Sequence, residues 1–104
     1  MNPGCWEAGP VYEFEARLWR WRDDSAWHFV TLPAEISDDI DDRTPLRGGF
    51  GSVKVEVAAG GHAWRTSLFP SKEQGAFILP IKKSVRERLD CGEGDVIAVT
   101  LVIR

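Results

Sequence analysis

The last quarter of the chain, from Phe77 to Arg104, constrains the fold more than any other stretch. Its sequence, FILPIKKSVRERLDCGEGDVIAVTLVIR, passes from an apolar run through a short basic segment and a Gly-rich turn to a β-branched run. Apolar and β-branched runs bounded by Gly and Pro form strands, and Val85 and Leu89, four apart, share one helix face. The spacing predicts a strand over Gly75 to Ile81, a helix over Ser84 to Leu89 ended by Gly92 and Gly94, and a strand over Val96 to Ile103. The near-continuous apolar content of that last strand implies burial on both faces or a central place in its sheet.

The same period of two recurs upstream. Tyr12, Phe14, Ala16 and Leu18 alternate with Glu13, Glu15, Arg17 and Trp19, so Tyr12 to Trp21 is predicted as one strand with a single buried face. Arg22 to Ser25 supplies turn chemistry, and Trp27 to Leu32 returns as the second arm of a hairpin. Pro33 suits a helix start, and Ile36 and Ile40 turn a short helix over Pro33 to Asp42 inward. Gly48-Gly49-Phe50-Gly51 permits a bend or bulge before Ser52 to Val57, and Ala59-Gly60-Gly61-His62 is a hairpin turn leading into Ala63 to Phe69. Met1 to Pro10, rich in Pro and Gly, is expected to be a flexible arm preceding a single domain over residues 11–104. Six short strands in one chain favour an all-β closed barrel with one or two short helices, because closure hides the sheet edges.

At 104 residues the chain can bury a core without metals or a disulfide framework. Five Trp and five Phe place much of that burial on aromatic rings. A formal net charge of −3 gives no global attraction to nucleic acid or anionic membrane. Cys5 and Cys91 show no metal or redox spacing; reduced thiols are the expectation, with a Cys5–Cys91 bridge the alternative. With neither a signal-like start nor a long apolar segment, the expected location is cytoplasmic.

Read together and in order, several short segments resemble a known family. They are Trp27 to Pro33, Gly49 to Val53, Trp64 to Pro70, Leu79 to Lys83 followed by Val85-Arg86, and Gly94-Asp95. They resemble a bacterial and archaeal family catalogued as a domain of unknown function, number nineteen hundred and five. The resemblance implies a small closed six-stranded Greek-key barrel and no established activity. The Leu89 to Gly94 turn is also similar to that of the swapped-hairpin DNA-binding domains of bacterial transition-state regulators.

Three constellations are candidates for function. Lys82, Lys83, Arg86 and Arg88 form a candidate anion site, although Glu87, Asp90 and Glu93 beside them fit an ordinary solvated face. Trp19 and Trp21 have the parity opposite to Leu18, so in an unbroken strand they point outward as a candidate interface with a second copy or a platform for a planar ligand; the alternative is that a bulge near Trp19 switches the parity or that the N-terminal arm with Trp6 covers them. Trp27, His28, Trp64 and Arg65 are candidates to line an opening of the barrel, against core packing as the plainer role for Trp. Asp38, Asp39, Asp41 and Asp42 lack the pattern of a calcium loop, and His28 and His62 stand apart, so neither metal nor cofactor is expected. Ser67, His62 and Asp95 lack a nucleophile turn or oxyanion site, so no catalytic residue is nominated. The expected function is non-enzymatic binding of a small molecule or protein. The alternative, a nucleic-acid-binding regulator-like module using residues 82–88, is disfavoured by the charge balance.

Overall fold

The computed structural model describes residues 11–22, 26–45 and 51–104. In chain order the elements are β1 (Val11–Arg17), β2 (Trp19–Arg20), β3 (His28–Thr31), α1 (Ala34–Arg43), β4 (Val53–Ala59), β5 (His62–Ser71), β6 (Ala76–Pro80), α2 (Lys83–Leu89) and β7 (Val96–Ile103). The predicted arm over residues 1–10, the Cys5–Cys91 alternative and the bend at Gly48 to Phe50 fall on or involve positions outside the described residues.

Among the described residues every strand pairing is antiparallel, in the order β1-β7-β4-β5-β6-β3-β2. Two chain segments each serve both halves of the sheet. In β5, His62 to Leu68 pair with β4, whereas Phe69 to Ser71 pair with β6. The segment predicted as one strand over Tyr12 to Trp21 is split at Leu18: β1 pairs with β7, and Trp19–Arg20 pair with β3. Leu18 donates its N–H to Asp95 O at 2.8 Å and accepts from Gly94 N–H at 2.8 Å, which carries the β1 ladder one step beyond β7, and the change of partner follows at Trp19.

The expected closed six-stranded barrel is therefore corrected. Among the described residues seven strands form a curled antiparallel sheet, half a barrel: the segment predicted as one strand is two, β1 on β7 and β2 on β3, and no ladder joins the two ends of the order. The terminal strands of the order, β1 and β2, are consecutive in the chain.

Alternation does the rest. Tyr12 and Phe14 on β1, Val53, Val55 and Val57 on β4, and Ile97, Val99 and Leu101 on β7 all lie in the core. Leu18, Val30, Leu68 and Leu79 continue it across the other half of the sheet. Helix α1 contributes Ile40 and, at the margin, Ile36; α2 contributes Val85 and Leu89. Strand β7 holds the expected central place, between β1 and β4, but burial on both faces is overturned: Val96 and Ala98 are exposed.

The β4–β5 turn has the predicted chemistry, with Gly60 at φ +55° and Gly61 at φ +81°. Positive φ at both central residues matches the right-handed twist of the flanking strands, and glycine adopts it without a Cβ penalty. Helix α1 is docked by a buried side chain: Ser37 Oγ accepts from the Phe77 N–H of β6 at 2.9 Å. None of the described helices is long and apolar enough to cross a membrane.

Candidate functional site

The outer face of the β5-β6-β3-β2 half is aromatic, and the ladder explains why. Directly paired antiparallel residues share a face, so Trp19, Phe29 and Pro80 form one row, and Thr31, Ile78 and Phe69 form the next. Trp21 and Trp27 flank these rows just beyond the paired residues of β2 and β3; Trp21 N–H donates to Trp27 O at 2.9 Å. The rings of Trp19, Trp21 and Trp27 lie 5.2, 6.1 and 6.2 Å from Phe29, which is thereby only 8% exposed. Trp19 is further held by Nε1 donating to Thr31 Oγ1 at 2.9 Å.

The outer rings of this cluster meet solvent: Trp27 is 65% exposed, Trp21 42% and Phe69 38%. Trp27 lines two open hollows. In one, Trp21, Trp27, Phe29, Phe69 and Ile78 enclose an aromatic volume of about 360 Å³. In the second, of about 400 Å³, Trp27, Phe69, Pro80 and Ile81 form the apolar wall, rimmed by Lys82, Lys83 and Arg86, with His28 also in its lining. Both hollows share Trp27 and Phe69.

Each candidate from the sequence now has a place. Trp19 and Trp21 do face outward, as their parity requires, and they join Trp27 in one surface. Trp27, His28, Lys82, Lys83 and Arg86, drawn from two separate candidate sites, come together at the second hollow. Trp64 and Arg65 do not: adjacent on β5, they point to opposite faces. Trp64 pairs with Val57 and packs against the core, while Arg65 reaches Glu56 at 3.3 Å on the exposed side. Arg88 follows Arg86 by two positions, about 200° round the helix, and lines neither hollow.

Arg86 has a structural task within the site. Its Nη1 donates to Ile81 O at 2.9 Å and lies 3.5 Å from Ala26 O, while His28 Nδ1 lies 2.8 Å from the same Ala26 oxygen. Arg86 thus ties the start of α2 to the segment carrying Trp27, leaving Lys82 and Lys83 as exposed cations of the rim. Phe69 was not singled out from the sequence. Its signal was present in the parity of β5, where Arg65, Ser67 and Phe69 share the outward row.

Elsewhere the titratable groups form structure. Tyr12 donates its hydroxyl proton to Asp39 Oδ2, and Arg43 Nε donates to the same oxygen at 2.9 Å. Burial, then the Asp39 carboxylate, push the Tyr12 pKa up to about 12; the Tyr12 hydroxyl, then Arg43, hold Asp39 below the usual carboxylate range. Cys91 carries a free thiol whose pKa is pushed up by burial and by the nearby Asp95, which disfavours the reactive thiolate. Among the described residues no group of three or more His, Cys, Asp or Glu side chains converges as a metal site.

No curated protein matches the chain. The family model described as "Domain of unknown function (DUF1905)" matches residues 14–101, a span that holds β2 to β6, the two described helices, the aromatic face and most of β1 and β7, and the chain belongs to that family.

Proposed function

We propose that the protein is a non-enzymatic binding module whose site is the aromatic outer face with its Lys82–Lys83 rim. The observation that carries this is Trp27, exposed on a small domain and walled on one side by cations. Leaving several rings in water lacks a folding benefit, and exposed aromatic patches with a polar rim are typical of recognition surfaces. The chemistry selects a partner that offers an apolar group to Trp27 and Phe69 and an anion to Lys82 and Lys83.

The nucleic-acid alternative has less support. Arg86 is engaged with two carbonyls and Arg88 points elsewhere, so the basic cluster presents fewer free cations than its sequence suggests. The free Cys91 thiol supports a reducing, cytoplasmic setting. The return of β7 beside β4, after the neighbours β4, β5 and β6, supports a Greek-key description of those strands.

The test is nitrogen-detected NMR of the tryptophan indoles during titration with anilinonaphthalene sulfonate, an aromatic anion. The Trp27 and Trp21 signals should shift while Trp64, on the inner side of β5, stays in place. Neutralising Lys82 and Lys83 should weaken the titration several-fold. Equal shifts at Trp64, or none at Trp27, would refute the site.

A further inference from the structure

The two hollows differ in chemistry but share one partition, and that relationship narrows the occupant. Trp27 and Phe69 belong to the lining of both, so the hollows adjoin across those two side chains. Alternate side chains of an extended peptide point to the same side and recur at about 6.6–6.8 Å. A segment lying across Trp27 can therefore place side chains i and i+2 in the two adjoining hollows.

We infer that the occupant is an extended acidic segment of a partner protein, with an apolar side chain in the Trp21–Phe69 hollow and a carboxylate two residues away against Lys82 and Lys83. This inference rests on the binding-module reading above and specifies its partner. Charge complementarity supports it: on a chain of net charge −3, the hollow beside Trp27 is rimmed by Lys82, Lys83 and Arg86. The form of the surface supports a protein over a small molecule, because both hollows are open troughs, whereas small-ligand pockets enclose most of their ligand. Trp is also among the residue types enriched in protein-binding hot spots. A polynucleotide would bring phosphates past Glu87 and Asp90 as well, which line the depression on the other side of Lys83 and Arg86.

The experiment uses the full chain and an array of blocked heptapeptides in which a Leu or Phe anchor and a Glu are separated by varied numbers of Ser residues. The strongest binding should fall on peptides with one intervening residue, and replacing Glu by Gln should weaken it about tenfold. The double variant Lys82→Gln/Lys83→Gln should bind the Glu and Gln peptides alike, and Trp27→Ala should abolish the spacing preference. Binding that ignores spacing, or that is stronger for an oligothymidylate than for any peptide, would overturn the inference. If anilinonaphthalene sulfonate moves the Trp27 indole but no peptide binds, the site survives and the extended-segment occupant does not; if neither binds, both fall.

Discussion

The Trp27 ring lies nearly parallel to that of Phe29, 13° apart in plane and 6.2 Å between centroids, so one ring is shielded while the other stays in water. This separates two kinds of tryptophan. Trp27→Ala removes a mostly exposed side chain and should change unfolding stability by less than about 1 kcal/mol. Trp64→Ala removes one packed on the core and should cost about 2–3 kcal/mol, toward the lower end for large core truncations because Trp64 is only partly buried. Urea denaturation of the two variants checks this; equal losses would show that Trp27 is part of the packed core.

Ser37 should matter more than its size suggests. Its hydroxyl accepts the Phe77 N–H, and Ser37→Ala removes that acceptor inside the fold at a cost of about 1–3 kcal/mol. Amide hydrogen exchange at Phe77 should accelerate more than at Val55 or Leu101. An unchanged Phe77 rate would mean that another acceptor takes over.

The Tyr12–Asp39–Arg43 contact predicts a pH response with two limbs. Because the Tyr12 pKa rises from 10.0 to about 12 in the fold, the folded state holds its proton more tightly than the unfolded chain. The resulting stability is fully present below pH 10 and is lost as the pH rises through about 12. Asp39 behaves in the opposite sense: its depressed pKa contributes stability above the usual carboxylate range, which is lost on acidification through the depressed value. Tyr12 is the only tyrosine, so tyrosinate absorbance reports it directly. Tyr12→Phe should remove the alkaline limb and reduce the acid one; a tyrosine titrating at its ordinary value would contradict the contact.

Two glycines separate backbone strain from contact. Gly75 has φ +68° and open space where a Cβ would stand, so Gly75→Ala should cost about 1 kcal/mol from the left-handed backbone alone. At Gly60, φ is +55° and a Cβ would lie 2.5 Å from Leu89 Cδ2. Gly60→Ala should therefore cost more, with the difference limited by how readily Leu89 turns aside. Thermal or urea unfolding of both variants measures that difference, and a smaller loss at Gly60 would show that the hairpin tip does not rest on α2.

Much of this architecture is legible residue by residue. Alternation in Val53 to Val57, the Gly60–Gly61 turn, and the pairs Ile36–Ile40 and Val85–Leu89 all identify their elements because local geometry decides them. The split at Leu18 is not legible in the same way: both halves of Tyr12 to Trp21 keep one period, and only the long-range pairing of Trp19 with Phe29 reveals the change of partner. The site was visible in pieces. Parity placed Trp19 and Trp21 outside, and charge marked Lys82 and Lys83, but their meeting at Trp27 depends on the β3–β6 register. Trp64 and Arg65 were grouped by proximity in sequence, which in a strand puts neighbours on opposite faces.

The division at Leu18 bears on how the domain comes apart. Since Val11 to Arg20 is shared between the two halves of the sheet, and β5 is shared in the same way, melting either half frees one end of a segment that the other half also pairs. Opening should be concerted across the whole sheet, with the slowest-exchanging amides of β4 and β6 reporting a single free energy, as expected of one cooperative unit. The aromatic face would then be carried on a platform that stays rigid until the entire domain unfolds.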